Sequence, residues 1–276
     1  MKKMTNPEII CYGCGRGENP ENTIKAIEHC QNINPDWRID LDLQITKDAE
    51  IVLFHDYNAK RRTGENYNIF NLTIDEVKKL NAGFYFQKNG EFPFRKKPIK
   101  IPTLAEVYIK FPNAKFVLDI HTNNKEAIDK IIELTETYAI DNDIIIVSHY
   151  DTVIKKFKNK RPDWIFGAAT KEVKKTVFSS FLFLDFLFPL KSDVLLIPIK
   201  FNNITLLTNR VLKHIKSRDK KIIVWKKEGK TNDDVICIEN KKEFDELKNK
   251  GVDAVYSEYP EQFNKVFDFF TKADNI

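Results

Sequence analysis

The amino-acid sequence predicts an α/β protein whose strands close into a (β/α)8 TIM barrel. Nine short apolar runs recur along its 276 residues, and helix-like stretches separate most of them. The length and the β-branched content of these runs are typical of buried parallel strands. The runs are Ile9–Tyr12, Arg38–Leu43, Ile51–His55, Phe116–His121, Ile144–Ser148, Trp164–Ala168, Asp193–Ile199, Ile222–Trp225 and Val252–Ser257.

The second and third runs lie too close together in sequence for both to be barrel strands. The gap Thr46–Ala49 is shorter than the dozen or so residues that a parallel crossover needs. Leu43 and Ile51 are therefore predicted to flank a hairpin-like turn. This removes one run from the parallel set and leaves the eight that a (β/α)8 barrel requires.

Amphipathic segments supply the predicted helices. Asn22–Gln31 begins within a Pro-Glu-Asn-Thr turn and places Ile24 and Ile27 at helical spacing. Asn124–Tyr138 places several isoleucines on one face. Two further segments show a similar pattern, Thr205–Lys216 and Lys241–Lys250.

A long irregular stretch, 57–100, follows the third run. Turn signals and aromatic residues fill it, which predicts an inserted segment on one face of the barrel. The sequence shows no internal repeat and no linker rich in Pro, Gly or Ser. Residues 1–276 are therefore expected to form a single domain, a size that such barrels commonly reach.

The composition is that of an ordinary globular protein, with 42% hydrophobic and 31% charged residues. Lys and Arg total 45 against 40 Asp and Glu, and a net charge of +5 is too small and too mixed to indicate nucleic-acid binding. No apolar stretch of signal-peptide length lies at the N-terminus, and a chain of this length needs no disulfides. We therefore expect a reducing, cytoplasmic location.

Four cysteines are present, and two of them, Cys11 and Cys14, have Cys-x-x-Cys spacing. A redox or zinc site would need a suitable helix start or a second pair of ligands. Cys30 and Cys237 do not form such a pair, so we interpret Cys11 and Cys14 as ordinary residues at a strand end. A redox or metal role is the alternative.

The segment Val177–Leu190 is apolar enough to be considered as a membrane span. It is shorter than the ~20 residues that a span needs, and Asp185 interrupts it. Two interpretations stay open. The segment is either a buried element of the fold, or its part Phe178–Phe188 makes transient contact with a membrane.

Ionisable side chains end several predicted strands, which is where (β/α)8 barrels carry out their chemistry. Asp40 and Asp42 are two residues apart, so both point to the same face of the strand. Two buried carboxylates repel unless a positive charge joins them, and oxygen ligands favour one Mg²⁺ or Ca²⁺. Asp119, on another strand, is the predicted third ligand. The alternative is that some of these carboxylates pair with Arg38, Arg61 or a helix end.

His55 follows the apolar run Ile51–Phe54 directly. A histidine at a strand end beside carboxylates is a candidate general acid or base, because its pKa lies near neutral pH. A single histidine is otherwise more often a structural hydrogen-bonding residue.

Several fragments resemble the glycerophosphodiester phosphodiesterase family, in the same order and over nearly the whole chain. They are Pro20–Thr23, Ile39–Asp48, Phe54–Asp56, Arg61–Thr63, Ile101–Glu106, Val224–Trp225 and Gly251–Pro260. That family is a (β/α)8 barrel related to phosphatidylinositol phospholipase C. The resemblance implies an enzyme that uses one Mg²⁺ or Ca²⁺ to hydrolyse glycerophosphodiesters to glycerol phosphate and an alcohol.

The family pattern is His-Arg-Gly, Glu-x-Asp, His-Asp and Glu-x-Lys, in which two histidines are acid and base and the carboxylates hold the metal. By this resemblance Asp42 matches the Asp of Glu-x-Asp, His55 matches the second histidine, and Arg61 matches the arginine after His-Asp. Asp40 and Asp119 stand where the family has glutamates, which keeps the charge and shortens the side chains.

Tyr12 and His121 depart further from the family pattern. Tyr12 stands where the family has its first catalytic histidine, and His121 stands in place of the lysine. A phenol has a pKa of ~10, so Tyr12 can donate a proton but is a poor base at neutral pH. Three hypotheses follow: Tyr12 is the acid and His55 the base, His121 takes the missing role, or the barrel only binds a phosphorylated or lipidic ligand.

We therefore expect a metal-dependent hydrolase of a small, glycerophosphodiester-like phosphodiester. Its predicted catalytic residues are His55, Tyr12 and His121. Arg16 and Arg61 are predicted to contact the phosphate, and the alternative for Arg16 is a solvated loop residue. Trp225 either walls the substrate pocket or packs in the core. No pattern in the sequence predicts an oligomeric state.

Overall fold

Eight parallel strands close into a barrel in the computed structural model, which describes residues 6–140, 144–201, 203–227, 235–236, 238 and 240–273. The strands are β1 Glu8–Cys11, β2 Arg38–Ile45, β3 Ile51–Leu53, β4 Lys115–Ile120, β5 Ile144–Val147, β6 Ile165–Phe166, β7 Val194–Pro198, β8 Lys200–Phe201, β9 Ile204–Thr205, β10 Lys221–Lys227, β11 Val235–Ile236 and β12 Ala254–Ser257. The order around the barrel is β1, β2, β4, β5, β6, β7, β10 and β12, and β12 pairs with β1.

The barrel closes between β6 and β7 through a short contact. Gly167 forms a parallel bridge with Val194, and the amide of Ala168 donates to the Val194 carbonyl oxygen at 2.8 Å. The amide of Asp193 donates to the Phe166 carbonyl oxygen at 2.9 Å. The predicted (β/α)8 barrel is therefore confirmed, although its sixth strand is short.

The predicted hairpin is also confirmed, because β3 pairs antiparallel with β2. Leu43 lies opposite Leu53, and Ile45 lies opposite Ile51. The hairpin returns the chain to the end of β2, where the amide of Phe54 donates to the Asp42 carbonyl oxygen at 2.8 Å. This geometry places His55 beside the residues that end β2.

Ten helices lie among the described residues. They are α1 Ile24–Ile33, α2 Lys60–Thr63, α3 Ile74–Val77, α4 Leu104–Lys110, α5 Lys125–Thr137, α6 Asp151–Lys160, α7 Thr170–Phe181, α8 Asn209–Lys216, α9 Lys241–Asn249 and α10 Pro260–Ala273. The four predicted helical segments correspond to α1, α5, α8 and α9. The segment predicted from Thr205 begins its helix later, because the Thr208 side chain caps α8 by accepting from the Val211 amide.

The stretch 57–100 is an irregular insertion, as predicted. It contains only the short helices α2 and α3, one 3₁₀ turn and isolated bridges. Its apolar residues, among them Ile69, Val77 and Leu80, pack with Val52 and Phe54 into a small cluster of their own. The insertion therefore covers the hairpin β2–β3 rather than extending the barrel.

Three buried cysteines lie beneath the end of β2, and Cys237 lies outside the described residues. The Cys14 thiol donates to the Asp40 carbonyl oxygen, and the Cys30 thiol donates to the Cys14 carbonyl oxygen, both at 3.3 Å. With Cys11, these side chains pack in the main apolar core. This packing agrees with the interpretation of Cys11 and Cys14 as ordinary residues.

The apolar segment Val177–Leu190 is exposed over much of its length. Val177 is buried, but Phe178, Phe183 and Phe186 are 65%, 67% and 72% exposed. The interpretation of the segment as a buried element is therefore wrong for most of its large side chains. Among the described residues, no helix has both the length and the apolar character needed to cross a membrane.

We predict that the closure between β6 and β7 tolerates no side chain at Gly167. A Cβ atom there would lie 2.7 Å from Val147 Cγ1 and 3.0 Å from Leu196 Cδ1, so Gly167→Ala should cost about 1–3 kcal/mol of unfolding free energy. Chemical denaturation measures this change.

The double variant Gly167→Ala/Val147→Ala is the matched control. Because Val147→Ala removes the clashing methyl group, the double variant should lose less stability than the sum of the two single variants. Simple additivity would contradict the account of the closure.

Candidate active site

Three carboxylates meet at the carboxyl ends of two neighbouring strands. Asp42 on β2 and Asp119 on β4 are register partners, and Asp40 lies two residues before Asp42 on the same face. Asp40 and Asp42 are buried. The strands thus force three acidic groups into one small volume at the mouth of the barrel.

Asp40 is the least compensated of these groups. Its Oδ2 accepts from the Gly13 amide at 3.3 Å, while its buried Oδ1 has no hydrogen-bond partner among the described residues. Burial and the nearby carboxylates of Asp42 and Asp119 raise the pKa of Asp40 well above its usual range. A buried carboxylate oxygen without a donor needs a proton or a cation.

The arginines considered as alternative partners for the carboxylates are engaged elsewhere. Arg38 pairs with Glu8 at 3.0 Å, and Arg61 pairs with Asp56 and, at 3.1 Å, with Glu21. These pairs place both guanidinium groups beside carboxylates other than Asp40, Asp42 and Asp119.

Asp42 is held by Asn22 and His121. The Asn22 Nδ2 donates to Asp42 Oδ2 at 2.6 Å, and the Asp42 amide donates back to Asn22 Oδ1 at 3.0 Å. Burial alone would raise the pKa of Asp42, but the bonds from His121 and Asn22 lower it to about 2. Sequence reasoning missed Asn22, although it belongs to the Pro-Glu-Asn-Thr turn that drew attention.

His121 lies between two of the carboxylates. Its Nε2 is 2.9 Å from Asp42 Oδ1 and 3.5 Å from Asp119 Oδ2. Burial opposes its protonation, but Asp119 and Asp42 outweigh this effect and raise the pKa of His121 well above its usual value. His121 therefore lies where a protonated imidazole would pair with both Asp42 and Asp119.

His55 is oriented by a chain of charged side chains. Its Nδ1 lies 2.8 Å from Asp56 Oδ1, and Arg61 donates to both oxygens of Asp56 and to Glu21. Although burial acts in the opposite direction, the Asp56 carboxylate raises the pKa of His55. With Nδ1 directed at Asp56, the other ring nitrogen is the one available for chemistry.

The donor set at this site fits a divalent cation. Ligand atoms of Asp42, His55 and His121 lie within 4.8 Å of one another. Asp40 adds the carboxylate oxygen that no hydrogen bond satisfies, and Asp119 adds another acidic group beside it. Carboxylate oxygens with a nearby imidazole suit hard divalent ions.

An apolar chamber of about 400 Å³ opens beside the carboxylates. Asp40 and Asp119 lie at its polar side, and most of its remaining wall is apolar. The wall includes Tyr12, Val147, His149, Leu196, Phe201, Trp225 and Tyr256. A ligand could therefore place a charged group at the carboxylates and an apolar group in the chamber.

Tyr12 and Trp225 both reach the chamber, as two of the sequence interpretations expected. The Tyr12 ring packs edge-on against Tyr256 at 5.5 Å and lies 4.7 Å from the Arg16 guanidinium. Trp225 also packs against the apolar cluster inside the barrel, so it belongs to both the pocket and the core. Arg16 is not a solvated loop residue, because it pairs with Glu258 at 2.7 Å.

His149 is a third histidine at the mouth, and sequence reasoning gave it no role. Its ring lies 6.2 Å from that of His121, whose ring is in turn 4.5 Å from that of His55. The signal that could have found it is its position at the carboxyl end of the fifth predicted run.

We predict that Asp40 destabilises the metal-free protein and is needed to bind a divalent cation. Asp40→Asn removes a buried carboxylate whose Oδ1 lacks a donor, so it should raise Tm in the presence of EDTA. It should also abolish the rise in Tm that Mg²⁺ or Ca²⁺ produces in the unmodified protein. Thermal unfolding measures both effects.

The exposed residue Asp163, which pairs with Arg161, provides the matched control. Asp163→Asn should leave the cation-dependent rise in Tm unchanged. A cation-dependent rise that persists in Asp40→Asn would remove Asp40 from the metal site.

Comparisons with known proteins agree with this geometry. A family model described as the glycerophosphoryl diester phosphodiesterase family matches residues 14–181, a range that begins just after Tyr12. Human lysophospholipase D GDPD1 is 40% identical over 133 residues, which cover 47% of this chain and 41% of that protein. A glycerophosphodiester phosphodiesterase of Caldanaerobacter subterraneus is 30% identical over 150 residues, 52% of this chain and 58% of the relative. The chain thus spans less than two thirds of these relatives.

Solved structures share the fold over nearly the whole chain. The glycerophosphoryl diester phosphodiesterase domain of a Mycobacterium tuberculosis protein superposes with a TM-score of 0.76 at 18% identity and covers 95% of this chain and 99% of its own. An Oleispira antarctica phosphodiesterase in complex with the product sn-glycerol-3-phosphate gives 0.72 at 20% identity, with 95% and 97% coverage. The family model covers more than half of the sequence. The chain therefore belongs to the glycerophosphoryl diester phosphodiesterase family.

Proposed function

We propose that this protein hydrolyses phosphodiesters of glycerol with the help of one divalent cation, Mg²⁺ or Ca²⁺. The observation that carries the proposal is the cluster of Asp40, Asp42 and Asp119 with two histidines at the polar side of an apolar chamber. Family membership supports phosphodiesterase chemistry for this cluster.

The proposed metal ligands are Asp40, Asp42 and Asp119. The orphaned Oδ1 of Asp40 and the closeness of Asp42 and Asp119 support this set. A divalent cation bound there would neutralise the nonbridging oxygens of a phosphodiester and favour the build-up of negative charge on them.

His55 is the proposed general base. Asp56 orients its ring, so that its second nitrogen can take the proton from the attacking hydroxyl of water or of the substrate itself. Before the next turnover His55 must release this proton to solvent. Its ring is part-exposed, which permits that release.

Tyr12 is the proposed proton donor to the leaving alkoxide, in the position where the family has a histidine. Two observations support it over His121. Tyr12 lines the chamber, and the Arg16 guanidinium over its ring favours the phenolate that proton donation leaves behind. His121, in contrast, is already held between Asp42 and Asp119.

The chamber supports a substrate with one acyl chain, that is, a lysophospholipid. A wall formed by Val147, Leu196, Phe201 and Trp225 suits a hydrocarbon chain better than a free glycerol group. The relatives named lysophospholipase D support the acyl chain of such a substrate. The Oleispira antarctica complex with sn-glycerol-3-phosphate supports its glycerol phosphate part. Hydrolysis would add water across the bond between phosphorus and the headgroup oxygen, giving a lysophosphatidic acid and the free alcohol.

Several earlier expectations stay part of this proposal. They are a single domain over residues 1–276, a cytoplasmic location, phosphate contact by Arg16 and Arg61, and membrane contact through Phe178–Phe188. The alternative function is a barrel that binds a phosphorylated or lipidic ligand without hydrolysing it.

The test is hydrolysis of lysophosphatidylcholine and glycerophosphocholine by the purified chain with Mg²⁺, Ca²⁺ or EDTA. We expect cation-dependent release of choline, faster from the acylated substrate, because only that substrate fills the chamber. His55→Ala should lower kcat by about 10²–10⁴-fold, whereas His29→Ala, at a half-buried pair with Glu18 that does not line the chamber, should not. No release with either cation, together with retained ligand binding, would establish the binding-only alternative.

We predict that Asp56 acts by positioning His55. Asp56→Asn keeps the shape of the side chain but removes the carboxylate at 2.8 Å from Nδ1, so kcat should fall about 10–100-fold with little change in KM. Steady-state kinetics on glycerophosphocholine measure this split. Asp163→Asn is again the control, and an unchanged kcat in Asp56→Asn would exclude the positioning role.

A further inference from the structure

A continuous apolar surface lies on the outside of the barrel at the end of α7. We call it the α7 surface and define it by six exposed side chains. They are Phe178, Phe181, Leu182, Phe183, Phe186 and Leu187, with exposed fractions of 65%, 41%, 50%, 67%, 72% and 55%. A patch of this kind on a folded protein marks a site of interaction rather than ordinary surface.

The α7 surface begins one helical turn from the wall of the chamber. Lys174 lines the chamber, and Phe178 lies four residues further on the same face of α7. Phe181 follows three residues later on that face. Phe201 of the hairpin β8–β9 also lines the chamber and is 50% exposed. Helix α7 therefore carries both a lining residue of the chamber, Lys174, and the first residues of the α7 surface.

Cationic side chains border the α7 surface. Lys175 Nζ lies 4.2 Å from the ring of Phe188, and the Arg210 guanidinium lies 4.1 Å from the ring of Phe183. Lys191, just beyond the segment, is exposed. The carboxylate within the segment, Asp185, and Arg210 neutralise each other as an ion pair, so the net positive charge of the border comes from Lys175 and Lys191. The border of the surface is therefore positive.

We propose that the α7 surface docks on anionic lipid bilayers. Its phenylalanine and leucine side chains would enter the interface, while the surrounding lysines and arginines would contact lipid phosphates. The docking itself does not depend on the proposed function. Its purpose rests on that function, because docking would bring the chamber to the membrane in which lysophospholipids reside.

A second copy of this chain is a poorer occupant of the α7 surface. In a two-fold dimer the same patch faces itself, so the lysines on its border, Lys175 and Lys191, would be brought close to those of the other copy. Like charges close together oppose association, whereas an anionic lipid surface complements both lysines.

The experiment is flotation of the full chain with vesicles of phosphatidylcholine alone and of phosphatidylcholine mixed with phosphatidylserine. We expect binding to the mixed vesicles and little to phosphatidylcholine alone. Phe183→Ser/Phe186→Ser should weaken this binding about tenfold or more, because the two most exposed rings no longer enter the interface. Tyr67→Ser/Phe70→Ser, in the insertion, is the control with exposed aromatic residues elsewhere and should bind like the unmodified protein.

Measurements of hydrolysis distinguish a failure of the docking proposal from a failure of the proposed function. Phe183→Ser/Phe186→Ser should cleave soluble glycerophosphocholine at an unchanged rate and lysophosphatidylcholine in mixed vesicles more slowly. Flotation is independent of turnover, so an inactive protein that floats still supports the docking. The docking would be overturned if the unmodified protein did not float, or if Phe183→Ser/Phe186→Ser floated equally well. It would also be overturned if the unmodified protein formed a dimer that this double variant alone did not form.

Discussion

The repulsion among three carboxylates at the ends of β2 and β4 is the constraint on which the rest of the site depends. Parallel strand register places Asp42 beside Asp119, and strand periodicity places Asp40 on the same face. Burial makes the negative charges of Asp40 and Asp42 costly, and Asp40 retains an oxygen without a donor among the described residues. A fold that keeps this arrangement gives up stability for a cluster whose donor set fits a divalent cation.

The surrounding side chains compensate the cluster only in part, and they do so with defined geometry. Asn22 and His121 hold Asp42, while Asp56 and Arg61 hold His55 at the return of the hairpin. His121 lies between Asp42 and Asp119, and among the described residues Asp40 has only the Gly13 amide as a donor. This division is compatible with the proposed cation site beside His55, the proposed base.

The sequence was sufficient for the barrel, because periodicity and short gaps are local signals. They predicted eight parallel strands, the β2–β3 hairpin and the irregular insertion. The two-residue spacing of Asp40 and Asp42 on a buried strand also predicted that their side chains lie on one face. Contacts between distant segments were not predictable from spacing. The ion pair of Arg16 with Glu258, the position of His121 between Asp42 and Asp119, and the exposure of Phe178–Leu187 all depend on tertiary packing.

The central proposal is that Asp40, Asp42 and Asp119 together bind a divalent cation at the barrel mouth. The most direct measurement is a crystal structure of the chain with Mn²⁺ in place of Mg²⁺, read from the anomalous scattering of the ion. We expect one strong peak within bonding distance of oxygens from all three aspartates, with His121 moved away from Asp42 or Asp119. A peak held by Asp42, His55 and His121 without Asp40, or no peak at the mouth, would contradict it.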